Sequence, residues 1–436
     1  MKIVSLCGLL GYGYSEEALN IAFSEKVDYV GVDAGSTDPG PYYLGKGISF
    51  TDDNAVKRDL SLALPKALEH KAPFIIGTAG GAGAKAHTDR LIEIIKEIAK
   101  EKGLSFKLGI IYSDVTREYV LEKLENGKII NMSDTFPLER EKVEKSERIV
   151  SQIGIAPVIE LLREKCDVIV SGRACDTAIY AAPCIYEGYD EALSFHMAKI
   201  MECGAMCAEP VAAADVMMGF MEKDYFELCP ASPARRCVAS RAAAHTMYEQ
   251  TNPYLIYEPD GVIDIKNAKF EQKDERTVRI SGAVFTPAKD KTLKLEGVMR
   301  VGYRTVCIGG IYDPLTVENF SFIEKTVSDF VKVNSPFSSD DYTLLFRKYG
   351  SAESEMCVVI DAVGKTQDIA DTVCSLARSR MLHCDYKGRK SSAGNVAFPF
   401  SPSDIHVGEV FEFSVFHLAK VDSLTETAKT IIEEVK

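Results

Sequence analysis

Residues 74–100, FIIGTAGGAGAKAHTDRLIEIIKEIAK, hold the unit on which the fold turns. Phe74 to Gly77 is a short apolar run, and Gly77-Thr78-Ala79-Gly80-Gly81-Ala82-Gly83 is a turn almost bare of side chains. From Ala86 to Lys100, Leu91, Ile92, Ile94, Ile95 and Ile98 recur at helical spacing while Arg90, Glu93, Lys96 and Glu97 face water. A strand, a tight glycine turn and an amphipathic helix make one half of a βαβ crossover.

The pattern repeats outward from there. Ile3 to Leu6, Tyr29 to Asp33, Lys107 to Tyr112 and Val168 to Ser171 are further strand candidates. Several are nearly continuous in apolar residues, as central strands covered by helices on both faces must be. The N-terminal part is therefore expected to be α/β, a mostly parallel sheet with right-handed crossovers. Residues 190–250 read as mainly helical, and a helix from Ser240 to Glu249 should stop at Asn252-Pro253.

Near Pro259 the texture changes, which predicts domains at 1–258 and 259–436. Strands at Val278–Phe285, Thr292–Met299, Val301–Ile311, Thr343–Lys348, Met356–Asp361 and Val410–His417 are interspersed with helices at Gln367–Met381 and Ser423–Val435. That order indicates a smaller α+β domain with a mixed or antiparallel sheet. Two units suit a chain of 436 residues, which exceeds the usual size of a single core.

Composition removes several function classes. With 51 basic against 64 acidic residues the net charge is -13, a field that repels phosphate backbones and argues against nucleic acid. Met1 to Leu10 reads as a first strand rather than a signal peptide, and no apolar run approaches the roughly 20 residues that span a bilayer. A cytoplasmic protein is expected. The 12 cysteines are scattered, lack paired C-x2-C spacing, and read as reduced, buried small hydrophobes.

In an open parallel sheet, ligands bind outside the carboxyl ends of the strands, so the loops that follow the strands are the candidates. Gly8-Leu9-Leu10-Gly11-Tyr12-Gly13 is a glycine-rich turn suited to an anion, or simply a tight turn before a capped helix. Asp33, which ends a buried strand, needs a partner or a ligand. Behind it Ser36, Thr37 and Asp38 form either a ligand-binding loop or a local turn network stiffened by Pro39 and Pro41. In the turn of residues 77–83, Gly77, Thr78, Gly80 and Gly81 let backbone approach an anion, and His87 is a proton carrier or a core histidine.

Tyr112-Ser113-Asp114 reads better as helix capping than as a site. Ser171-Gly172-Arg173-Ala174-Cys175-Asp176 presents Arg173 directly after a strand, where its planar fork suits a carboxylate or phosphate; a structural Arg173–Asp176 pair competes with that reading. Asp33, Asp38 and Asp176 together are a candidate magnesium set, though no metal is implied by His and carboxylate spacing. Asp385 to Asn395, including Arg389 and Asn395, is a basic, glycine-punctuated loop that suits a lid or an ordinary surface loop. Arg235 and Arg236 form a further basic pair.

These stretches also carry a resemblance. Asp33 to Gly45, Ser171 to Asp176, Glu202-Cys203-Gly204, His245-Thr246-Met247-Tyr248-Glu249, and Gly388-Arg389 through Gly394-Asn395 to Ser401-Pro402 resemble the acyclic terpene utilisation A family across nearly the whole chain. The resemblance implies catabolism of branched acids as acyl-CoA thioesters or related carboxylates, and a small separate partner protein. Around Gly204 to Phe220 the chain departs from terpene-pathway members, which leaves a different short carboxylate open as substrate.

The expected function is lyase or hydratase chemistry on a small carboxylic acid or its CoA thioester, in a homo-oligomer. Asp33 or Asp38 would be the acid/base group and His87 a second proton carrier. Asp176 joins the catalytic set, and Ser171 and Arg173 with the glycine loop hold the substrate. The alternatives are a ligand-binding subunit of a two-component complex and a CoA- or nucleotide-dependent transferase or ligase resting on the first glycine turn.

Overall fold

A computed structural model of the chain describes residues 1–35, 40–132, 136–211, 214–249, 252–350, 355–390 and 393–436. It divides into two compact units, Met1–Met299 with Phe413–Lys436, and Arg300–Glu412. This division falls later than the change of texture near Pro259. Lys269–Gln272 and Val278–Ser281, beyond that point, join the large sheet of the first unit.

That sheet has ten strands. Its centre is parallel, with Lys2–Ser5, Tyr29–Gly35, Phe74–Gly81, Val168–Ser171 and Phe106–Tyr112 side by side in that spatial order. Antiparallel strands extend both flanks, Met217–Met221 next to Lys2–Ser5 and Lys429–Val435 next to Phe106–Tyr112. The central runs are apolar on both faces because helices cover both. Val30, Val32, Phe74, Ile76, Val168 and Val170 pack with Leu19, Leu60, Leu64 and Ile95 from one helical layer. Tyr29, Ile75, Ile169 and Ile111 pack with Leu161, Tyr180, Phe195 and Met197 from the other. The expected α/β class with helices on both faces is present.

Four details differ from expectation, one being that the strand expected at Val278–Phe285 is two, Val278–Ser281 and Val284–Pro287, in different sheets. Residues 190–250 are helical only in part. Glu191–Met201 and Ala239–Thr246 are helices, but Met217–Met221, whose buried residues alternate at the strand period, pairs antiparallel with Phe226–Pro230. The chain from Thr292 to Ile311 is one unbroken strand rather than two. The helix expected at Ser423–Val435 is instead the strand Lys429–Val435. Its β-branched Thr430, Ile431, Ile432 and Val435 suit a pleated edge, and the Phe106–Tyr112 strand offers unpaired backbone groups that a helix could not satisfy.

In the second unit, Tyr303–Ile311, Tyr342–Gly350 and Met356–Gly364 pair antiparallel. Helices Phe320–Asn334 and Gln367–His383 supply Ile323, Val327, Val373 and Ala377 to a separate apolar cluster there. This is the α+β texture expected of the C-terminal part. Among the described residues no helix is long and apolar enough to cross a membrane.

Deleting residues 429–436 should leave the Phe106–Tyr112 edge open for pairing with another chain. The truncated protein is expected to self-associate in light scattering, and behaviour identical to the full chain would contradict the edge-sealing role.

Candidate functional site

The sheet order places the loops after Tyr29–Gly35, Phe74–Gly81 and Val168–Ser171 on three neighbouring parallel strands. Hydrogen bonds then tie the Arg173 loop to the Phe74–Gly81 strand and its turn, and to the loop after Phe106–Tyr112. The Arg173 amide donates to Gly83 O at 3.1 Å and to Ser113 Oγ at 2.7 Å. Thr78 Oγ1 donates to Ala174 O at 3.2 Å and accepts from the Ala174 amide at 3.1 Å. Gly83 has a φ of +67°, and a Cβ there would collide with the Arg173 nitrogen. The bare glycine turn thus lets the Arg173 loop sit against it.

Asp33 is 3% exposed, and its Oδ1 accepts from the amides of Ala34 at 2.8 Å and Gly35 at 3.1 Å. Burial, with the nearby charge of Asp176, pushes its carboxyl well above the usual range, and the Gly35 amide and Arg173 offset only part of this. Arg173 is also buried. Its Nε donates to Glu296 Oε2 at 2.9 Å and its Nη2 to Glu296 Oε1 at 3.3 Å, while Nη1 lies 3.9 Å from Asp176 Oδ1. Most of the fork is therefore committed to Glu296, and the remaining nitrogen faces Asp176. Lys294 completes the pair at 2.7 Å from Glu296. Burial alone would raise the Glu296 pKa, but Arg173 and Lys294 hold it down to about 2.

Asp176 differs from Asp33 in access. Its Oδ1 is enclosed without a hydrogen-bond partner, yet 41% of its side chain meets solvent. Burial raises its pKa against the pull of Arg173 and Lys199. The Ser171 hydroxyl nearby in sequence is buried and lacks a partner as well. Lys199 Nζ donates to Glu202 Oε1 at 2.5 Å, both side chains being under a tenth exposed. Burial, reinforced by Asp176, pushes Glu202 up to about 8 although Lys199 pulls the other way. Burial, Asp260 and Asp176 push Glu258 to about 8.

Asp33, Asp176, Glu202, Glu258 and Glu296 thus share one electrostatic neighbourhood with Arg173, Lys199 and Lys294. Burial raises the proton affinity of Asp33, Asp176, Glu202 and Glu258, whereas Arg173 and Lys294 keep Glu296 ionised. The thiols here do not serve as nucleophiles in this state. Burial and Glu202 raise Cys203, and burial raises Cys175 well above the usual thiol range.

Other candidates lie elsewhere or are occupied. His87 Nε2 sits 3.1 Å from Tyr43 O and 3.0 Å from Ile48 O, and burial lowers its pKa, so it is a neutral ring fastening residues 43–48. The amides of Gly11 and Gly13 both donate to Asp59 Oδ2 at 3.0 Å, which fills the first glycine turn with an internal carboxylate. Asp114 and Thr116 act as caps, accepting from Lys85 N and Tyr119 N. In the second unit, Arg389 donates to Ala393 O at 2.7 Å, and Asn395 to Met381 O and Cys384 O, so both fasten their own loop. Gly77, Gly80 and Gly81 lie in the strand Phe74–Gly81, where Gly77 faces Ile179 and Asp33, Gly80 faces His87 and Ser49, and Gly81 faces Phe50. Ser36, Thr37 and Asp38 lie outside the described residues. Among the described residues no three His, Cys, Asp or Glu side chains converge to hold a metal.

Lys199, Glu258 and Glu296 were not candidates from sequence. Two had a signal: Lys199 is a lone charge inside the otherwise buried helix Glu191–Met201, and Lys294 and Glu296 share one strand face in the run Leu293-Lys294-Leu295-Glu296.

With this geometry in place, the chain was compared with known proteins. The profile described as acyclic terpene utilisation family protein AtuA matches residues 46–220 and 236–390. The chain belongs to the acyclic terpene utilisation family. No curated protein and no solved structure matches it. Within the family match fall Arg173, Asp176, Lys199, Glu202, Glu258 and Glu296, whereas Asp33 precedes it.

Two outcomes test the electrostatics. Glu296→Gln leaves Arg173 buried without its full counter-charge and should cost about 3–5 kcal/mol in urea unfolding, while Arg173→Met with Glu296→Leu should recover much of it. Glu258→Gln mimics the protonated side chain. The native protein holds a proton on Glu258 up to about 8 that the unfolded chain releases near its ordinary pKa of about 4.3, so this group lowers wild-type stability as pH rises between them. The variant should match wild type in Tm near pH 4 and gain on it steadily toward pH 8, and a constant difference would contradict the assignment.

Proposed function

We propose that the chain catalyses acid–base chemistry, hydration or its reverse, on a small carboxylic acid or its CoA thioester. Membership of the acyclic terpene utilisation family implies a catabolic role. The observation that supports the chemistry is the pair of carboxyl groups at the carboxyl ends of two strands flanking Phe74–Gly81, Asp33 enclosed and Asp176 accessible, with the charge of Asp176 raising the need of Asp33 for a proton.

In this reading Asp176 as carboxylate takes a proton from water while the oxygen bonds to the β-carbon of an unsaturated substrate. Protonated Asp33 delivers a proton to the α-carbon, and the proton gained by Asp176 restores Asp33 for the next turnover. Groups whose environments separate their proton affinities suit such paired roles. Arg173 Nη1, beside Asp176, and Lys199 supply positive charge where an oxyanion develops. Glu202, paired with Lys199 and with its proton affinity raised by burial, takes the place of His87 as second proton store.

The test is turnover of a panel of free and CoA-linked unsaturated and hydroxylated short acids, followed by loss of enoyl absorbance. Asp33→Asn and Asp176→Asn should each lower kcat about 10²–10⁴-fold with the fold intact. Full turnover in both variants would remove the roles given to them. Ligand-induced stabilisation without turnover would overturn the catalytic reading in favour of a binding subunit that needs a partner protein.

A further inference from the structure

Away from the carboxylate cluster, the first unit carries a cleft of about 990 Å³ in which arginines outnumber acids, Arg235, Arg236, Arg241 and Arg276 against Glu209 and Glu275. A protein of net charge -13 concentrates positive charge here. Its walls are built by short elements. Arg236–Cys237 pairs antiparallel with Ala208–Glu209, which sets Arg236 opposite Glu209, and Arg241 follows in the first turn and a half of the helix Ala239–Thr246.

The arginines divide into two kinds. Arg235 is anchored, with Nε donating to buried Asp215 at 2.6 Å and a second nitrogen bonded to Pro210 O. Arg276 is anchored too, since it donates to Pro230 O, Ser232 O and Arg235 O. Arg236 and Arg241 are instead 61% and 51% exposed, and they share Glu209 through single contacts of 3.3 and 3.4 Å. Contacts so long and solvated hold little energy. The eight-residue helix also begins at this cleft, where Val238 provides no side-chain cap and Gln272 Oε1 accepts from the Ala239 amide at 3.1 Å. The positive end of its dipole adds to the same field.

We propose that this cleft binds a phosphate-bearing small molecule, with Arg236 and Arg241 as its movable ionic contacts and anchored Arg235 and Arg276 shaping the floor. A phosphate offers two guanidinium forks more oxygens than Glu209 can, and it carries more charge. The volume fits a compact organic phosphate. A nucleic acid is disfavoured, because a long polyanion leaves the cleft for the acidic surface around it. This site stands whether or not the acid–base reading holds.

Isothermal titration of the full chain with inorganic pyrophosphate, ATP, CoA and dephospho-CoA, at low and raised salt, tests it. At least one should bind, more weakly as salt rises, and Arg236→Ala and Arg241→Ala should each weaken it on the order of tenfold. Equal binding of pyrophosphate, ATP and CoA identifies recognition of the diphosphate, and a marked loss with dephospho-CoA identifies the ribose phosphate. Both variants change half-exposed side chains, and an unaltered Tm confirms that they fold. Binding by none of the four ligands, or the same affinity in the doubly substituted protein, overturns the proposal. Asp33→Asn should leave this binding unchanged while it lowers turnover, which separates the two sites.

Discussion

The buried ion pair between Arg173 and Glu296 organises the carboxyl edge of the central sheet. A guanidinium that is 5% exposed is expensive to desolvate, and two oriented hydrogen bonds to an equally buried carboxylate are what make it tolerable there. Because the fork is planar, engaging Glu296 fixes the direction of the remaining nitrogen toward Asp176. The backbone of the same residue is tied to Gly83 and Ser113, so side chain and main chain are both held. One residue therefore joins the loops of three strands with a fourth element, the long Thr292–Ile311 strand.

The rest of the neighbourhood follows from that fixed positive charge. Asp33 and Asp176 lie close enough to it to be drawn toward ionisation, yet burial pushes harder the other way, helped at Asp33 by the charge of Asp176 and at Asp176 by Glu249 and Glu296. Lys199 stays charged because Glu202 and Asp176 outweigh its own burial. The result is a cluster of carboxyl groups with raised proton affinity, a setting that suits acid–base chemistry. Gly83 takes part through close backbone approach, since the space a side chain would need is filled by the Arg173 loop.

Elsewhere the same rule, that a buried polar group finds a partner, retires features that look like sites in sequence. The amides of the first glycine turn are occupied by Asp59, and Arg389 and Asn395 by carbonyls of their own loop. Local charge also departs from the net value: an acidic chain gathers four arginines around one cleft because Asp215 and backbone carbonyls orient two of them.

By itself the sequence determined the parallel centre of the sheet and pointed to its carboxyl edge for the candidate site. Runs such as Phe74–Gly77 and Val168–Ser171 are too uniformly apolar for anything but two-sided burial, and a strand end is where the next loop must open. Asp33, Ser171, Arg173 and Asp176 were legible for that reason. Only the tertiary structure decided the partners. Glu296 lies 123 positions from Arg173, and no local spacing marks such a pair. The strand at Lys429–Val435 likewise depends on an open edge more than 300 residues earlier, because backbone pairing across a sheet is set by topology while periodicity records only the local face.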